Sequence, residues 1–253
     1  MAIDLAEINR ALENGEFLPY FQPQVQLRSG KLTGFEVLAR WNHATKGIIP
    51  PDDFIPLAER DGWIHALTSQ IMEKAFRSAL QLPGALQLSV NISPIQLRDR
   101  SLAKRFEEVA RLTGFLLERV MVEITESAMT DNPEQARLTA EELKELGCKL
   151  TLDDFGTGYS SLSALKQFPV CRLKIDQSFI RDVPTNPDDK AIAMAVISLG
   201  HMLNLKVIAE GVETEQQLAF LRENECDEAQ GYLFGRPVSS DEIVTLLNRA
   251  VRQ

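Results

Sequence analysis

Apolar and polar residues alternate with a period of two in a series of short runs along this chain, and longer stretches of helical period separate most of them. The alternating runs read as strands: "PYFQPQVQL" (19–27), "LTGFEVLAR" (32–40), "LQLSVNIS" (86–93) and "RVMVEITE" (119–126), then "KLTLDDF" (149–155), "RLKID" (172–176), "LKVIAEG" (205–211) and "EAQGYLF" (228–234). Amphipathic helices are predicted at 64–80, 102–114, 133–147, 190–203 and 214–225, with another at the start in "MAIDLAEINRALENGEF". From residue 86 onward a strand recurs roughly every 20 to 35 residues, the length of a βα unit. Eight strands alternating with helices predict an α/β fold of the TIM-like (β/α)8 barrel type. The short "RSGK" turn between the first two strands suits a hairpin rather than a helical crossover, so one strand near the N-terminus should run antiparallel. No linker rich in Pro, Gly or Ser divides the chain, and residues 1–253 are expected to form one domain.

Residues two apart on a strand share a face. Glu36, Leu38 and Arg40 therefore oppose Phe35, Val37 and Ala39, and Ser89 and Asn91 oppose Val90 and Ile92. Glu123 opposes Val122 and Ile124, Asp153 opposes Leu150 and Leu152, and Lys174 and Asp176 oppose Leu173 and Ile175. In a barrel the apolar set must meet the covering helices, which turns the polar set toward the axis near the strand ends, where barrel enzymes place their chemistry. A carboxylate at one strand end is commonly a cap or turn residue, but carboxylates converging from several strands repel one another and call for divalent cations between them. Adjacent Asp153 and Asp154 can share such a site only where the strand stops. Gly156 and Gly158 would then permit the turn and a mobile loop after it; a simple strand-ending turn is the alternative.

Composition narrows the ligand. A formal net charge of −9 disfavours an extended DNA or RNA groove, yet leaves room for a small phosphorylated ligand whose metals reverse the local sign. His43, His65 and His201 form no ligand pair, so a metal here should be held by oxygen. Cys148, Cys171 and Cys226 show no CxxC spacing and suit a reducing, cytoplasmic setting. Apolar runs fall short of the roughly 20 residues that span a bilayer, and the start lacks the order of a signal peptide.

The blocks "FEVLARW", "SVNIS", "VEITES", "LDDFGTGYSSL", "LKID", "IAEGVE" and "QGYLFGRP" occur in this order, and together they resemble the EAL-domain phosphodiesterases of bacterial cyclic di-GMP signalling. One departure is visible: the name-giving Glu-Ala-Leu is Glu36-Val37-Leu38, and Val37 has the helix-facing parity. The resemblance implies metal ligation by Glu36, Asn91, Glu123, Asp153 and Asp154, with Glu210 either a further ligand or the acceptor of a proton from the attacking water. Lys174 would orient that water or offset phosphate charge, with Asp176 close by; a core ion pair between the two is the alternative. Leu38 and Arg40 would contact substrate, Arg40 through a phosphate oxygen unless it makes a structural salt bridge. Gln22 and Gln230 resemble substrate-contacting amides that could instead satisfy backbone. Glu126 would anchor the Asp-Asp-Phe-Gly loop or cap a helix. Glu213 would support the site from behind or serve as the first-turn acid of the next helix.

What the likeness implies for function is hydrolysis of cyclic di-GMP to linear 5′-pGpG with two Mg²⁺ or Mn²⁺ ions per active site. Ca²⁺ would bind there yet support little turnover, because its looser shell positions the reactants less well. A catalytically silent cyclic di-GMP receptor is the alternative, and a barrel hydrolase of another phosphodiester a third. Family members often dimerise near the helix after the Asp-Asp-Phe-Gly loop, so a homodimer through that region is expected. A stand-alone enzyme and a piece of a longer, membrane-anchored regulator are the two readings of the chain as a whole.

Overall fold

The computed structural model describes residues 5–130, 132–156 and 162–243. Helix α1 (Leu5–Glu13) leads into a hairpin of β1 (Phe17–Gln26) and β2 (Leu32–His43). The alternating pattern then runs on past Arg40: β2 continues to His43 and folds back on a short strand, β3 (Gly47–Ile49), around Gly47, whose φ of 73° suits a residue without Cβ. Helices α2 (Ile55–Arg60) and α3 (Ile64–Ala79) return the chain to β4 (Gln87–Ile92). Next come α4 (Pro94–Leu97), α5 (Leu102–Thr113), β5 (Val120–Thr125), α6 (Glu126–Thr130) and α7 (Pro133–Glu145). The second half holds β6 (Lys149–Phe155), α8 (Leu162–Gln167), β7 (Arg172–Ile175), α9 (Gln177–Arg181) and α10 (Pro187–Met202). It closes with β8 (Lys206–Ala209), α11 (Glu215–Glu223), β9 (Glu228–Gln230) and β10 (Val238–Ser239).

Strands β2, β4, β5, β6, β7, β8 and β9 pair in parallel, in that order, and β1 closes the ring by pairing antiparallel with both β2 and β9. The result is the expected closed eight-stranded barrel with one antiparallel strand. Strand β10 lies outside the ring against β1, with Tyr20 opposite Ser239.

Burial follows the parity. Val37, Val90, Ile92, Val122, Ile124, Leu150, Leu152, Leu173, Ile175, Val207 and Ala209 all belong to the hydrophobic core between barrel and helices. Each large side chain so buried stabilises the fold by about 1.5–3 kcal/mol. An aromatic cluster fixes the hairpin end: Phe17 lies 5.1 Å from Trp41, 5.4 Å from Phe54 and 5.6 Å from Trp63 between ring centroids, so both tryptophans serve packing. Helix α1 is tied to the same corner, where Glu7 accepts from His43 Nε2 at 2.6 Å and from Lys46 Nζ at 3.2 Å. Among the described residues no helix is long and apolar enough to cross a membrane.

Candidate active site

The barrel interior is polar at the C-terminal ends of its parallel strands, and its organising group is a lysine. Lys174, on β7, is fully buried. Its Nζ lies 2.5 Å from Glu210 Oε1, 2.8 Å from Glu123 Oε2, 3.2 Å from Asp153 Oδ2 and 3.7 Å from Glu36 Oε2. One ammonium thus faces four carboxylates from four other strands or strand ends. Burial alone would push its pKa down; Asp153, Glu123, Glu210 and Glu36 outweigh burial and hold it well above the usual lysine value.

The acids divide by what else they touch. Glu36 is buried, yet Lys174 together with amide donors overcomes burial and holds its carboxyl below the ordinary range. Those amides are Asn91 Nδ2, 2.8 Å from Glu36 Oε1, and Gln230 Nε2, 2.6 Å from Glu36 Oε2. Gln230 Nε2 also donates to Glu210 Oε1 at 3.1 Å. Glu123 has only Lys174 to set against burial and the charges of Glu36 and Asp153, and its pKa is pushed up to about 8. Burial, reinforced by Asp153 and Glu36, holds Glu210 well above the ordinary carboxylate range despite Lys174. Asp154 is raised to about 6 by burial and by the neighbouring Asp153 and Asp176.

The paired aspartates meet by a backbone device. Strand register shifts between Leu152 and Phe155, and Asp154 itself takes a left-handed conformation with φ of 55°. The turn therefore occurs at Asp154, two residues before Gly156, where it was expected, and Gly156 (φ 100°) only continues it. Asp154 N donates to Asp153 Oδ1 at 2.9 Å, which stabilises the bend. One carboxylate oxygen each from Asp153, Asp154 and Glu210 then lies within 4.8 Å of the others.

These donors fit a divalent cation. Every ligand atom on offer is oxygen, and Asn91 spends its Nδ2 on Glu36, which leaves its carbonyl oxygen for a metal. Glu123 Oε1 is buried with no hydrogen-bond partner among the described residues, a costly arrangement for a buried polar oxygen unless a cation meets it.

Other expected site residues are placed as follows. Gln22 is buried on β1 opposite Glu36. Leu38 lines a cavity of about 430 Å³ together with Asn91, Glu123, Thr125 and Asp154. Arg40 is half-buried, donates Nη1 to Ala39 O at 2.8 Å and lies 5.7 Å from the centroid of the Tyr20 ring. It makes no salt bridge among the described residues, so the structural ion pair considered for it is absent there. Gln230 turns its amide into the carboxylate ring instead of toward open solvent.

Two expectations are corrected. Asp176 does not pair with Lys174: it is the N-cap of α9, accepting from Ser178 N at 2.9 Å, because a short acceptor before a helix satisfies its free N–H groups. Glu213 is exposed and precedes Thr214, the N-cap of α11, so it is neither behind the ring nor in the helix's first turn; Glu215 fills that place. Glu126 is buried as the first residue of α6. Gly158 and the rest of 157–161, in the loop expected to be mobile, lie outside the described residues. One residue was missed: Gln24, buried on β1, donates Nε2 to Gln230 Oε1 at 2.9 Å. Its parity with Gln22 was the available signal.

Known proteins resemble this arrangement. The family model described as EAL domain matches residues 5–237. An uncharacterized signaling protein of Caulobacter vibrioides is 42% identical over 94% of this chain and 29% of its own length. The cyclic di-GMP phosphodiesterase NbdA of Pseudomonas aeruginosa is 42% identical over 92% of this chain and 30% of its own. The chain thus spans under a third of these two relatives. The solved structure of the PaMucR phosphodiesterase in its c-di-GMP complex superposes with a TM-score of 0.90 at 36% identity, covering 94% of this chain and 98% of that one.

Proposed function

This chain belongs to the EAL domain family, and from that premise we propose that it hydrolyses cyclic di-GMP to linear 5′-pGpG. The observation that carries the reading is the ring itself: Glu36, Glu123, Asp153, Asp154 and Glu210, with the Asn91 amide, converge on one mouth of the barrel around Lys174. No member of that set is missing from the sequence, which favours an enzyme over a silent receptor. Two Mg²⁺ or Mn²⁺ ions held by these oxygens would neutralise the phosphodiester and acidify the attacking water.

The chain's own residues do the remainder. Glu210, whose carboxylate oxygen lies beside those of Asp153 and Asp154, is the acceptor for the water's proton. Lys174 Nζ, 2.5 Å from Glu210, keeps that carboxylate aimed and places a fixed positive charge beside the reacting phosphate. Arg40 brings free guanidinium N–H groups to a phosphate oxygen. Leu38, beside Asn91 in the lining of the cavity, gives the ligand an apolar contact, and Gln22 presents an amide from the opposite strand.

The test is incubation with cyclic di-GMP and Mn²⁺, with and without a chelator, followed by chromatographic separation of nucleotides. Chelator-sensitive conversion to 5′-pGpG, with cyclic mononucleotides left intact, is expected. Tight binding of cyclic di-GMP with no product would make the chain a receptor and overturn the proposal.

A further inference from the structure

Gln230 donates from one nitrogen to two carboxylates, Glu36 Oε2 at 2.6 Å and Glu210 Oε1 at 3.1 Å. Glu36, an ionised carboxylate, offers only acceptors and fixes the amide's sense, because the Gln230 oxygen turned toward it would meet repulsion instead of a hydrogen bond. Its oxygen must then face away, and there it meets Gln24 Nε2 at 2.9 Å. Gln24 in turn points its own oxygen at Ser89 Oγ, 3.4 Å away. The polarity of the whole series is therefore dictated from one end: serine hydroxyl, Gln24, Gln230, carboxylates. None of the three is exposed beyond 4%, so no solvent competes for these groups. Gln24 and Gln230 also face each other directly across the antiparallel β1–β9 pairing, the seam that closes the barrel.

We infer that Gln24 is a positioning residue of the active site: it locks the Gln230 amide in the one orientation that holds Glu36 and Glu210 ready for metal and substrate. Without it, the Gln230 oxygen loses its donor among the described residues, and the amide gains freedom to rotate within the ring. The inference rests on the hydrolase reading for its effect on turnover, but its effect on metal binding can be read alone. Outer-shell partners of metal ligands are commonly worth 10–100-fold in affinity or activity. Gln24 acts one bond further out, so the lower end applies.

The experiment is calorimetric titration of Mn²⁺ into wild type, Gln24→Met, Gln230→Met and the double variant, each checked for folding by circular dichroism. Gln24→Met should weaken Mn²⁺ binding by roughly tenfold, and turnover of cyclic di-GMP should fall by a similar factor with KM little changed. The double variant should lose no more than Gln230→Met, because Gln24 acts only through that amide. Gln24→Leu serves the same comparison if the methionine variant does not fold. Binding within twofold of wild type, or losses that multiply in the double variant, would overturn the inference. A wild type that binds Mn²⁺ but leaves cyclic di-GMP intact sinks the hydrolase reading and leaves the titration result standing.

Discussion

Replacing Lys174 by Met tests how the carboxylate ring is held together before any cation arrives. The side chains are similar in length, so packing changes little and the loss is one of charge. Four carboxylates within 3.7 Å of Nζ lose their shared counter-ion in a fully buried position. Breaking a buried charge pair from one side costs about 3–5 kcal/mol. For a chain of this size, each kcal/mol moves the midpoint by about 2–4 °C. The metal-free variant at neutral pH should therefore melt roughly 6–20 °C below wild type. Adding Glu123→Gln should recover part of that loss, because Glu123 Oε2 contacts the ammonium at 2.8 Å and is the acid with least other support. Mn²⁺ should narrow the gap as well, since a cation replaces the missing charge, and ligand at a hundredfold its Kd contributes about 2.7 kcal/mol. Thermal and urea unfolding in EDTA and in Mn²⁺ measure all three. A methionine variant as stable as wild type in EDTA, or a gap indifferent to Mn²⁺, would refute the picture of one lysine neutralising the ring.

Three further outcomes are expected. In EDTA, wild-type stability should fall by a few kcal/mol between pH 5.5 and 9 in urea unfolding: Asp154 (about 6) and Glu123 (about 8) bind protons in the folded state that the unfolded chain has released, so stability present at low pH is lost as pH rises through those values, while Glu36, held below 4.5, stays charged and adds no slope. Val37→Ala, which restores the family's Glu-Ala-Leu, should cost about 2 kcal/mol in urea unfolding, from two buried methyls and the space they leave. Gly34→Ala should destabilise by about 1–3 kcal/mol and weaken Mn²⁺ binding in calorimetry, because a Cβ there would sit 2.4 Å from Gln87 O and push β2 off β4 two residues before Glu36.

The barrel was legible because its signals are local. Strands β4 to β8 announce themselves by an apolar face of Val, Ile and Leu, and helices such as α3 and α7 are long enough for their period to show. Helices α2, α4, α6 and α9 have six residues or fewer, under two turns, and a period cannot be read from so little. Strand β3 is three residues hidden behind a glycine turn. Asp176 had a readable cap signal in Asp176-Gln177-Ser178, but parity with Lys174 competed with it, and the cap won because the strand ends at Ile175. Which acids Lys174 would meet could not be read at all. Those distances are set by how far neighbouring strands are staggered around a closed ring, a property of the assembled barrel.

Asp153 and Asp154 show where local and global information join. Pleating alone sends consecutive residues to opposite faces, so a regular strand would hand one aspartate to the ring and bury the other against the helices without a partner. The chain escapes this by breaking the strand at the second aspartate, where φ of 55° swings the carboxylate round and the register slips before Phe155 pairs with Ile175. Asp is one of the few side-chain-bearing residues that tolerate this conformation, so the residue that supplies the carboxylate also supplies the turn. Glycine would make the bend more easily and lose the carboxylate; glutamate would keep a carboxylate and resist the bend. Among residues with side chains, Asp and Asn meet the backbone demand at low cost, and only Asp also brings charge to the cluster with Asp153 and Glu210. The doubled acid is thus a single solution to two constraints, and a strain of about 1 kcal/mol or more at φ above zero is retained because the ring needs both oxygens on the same side.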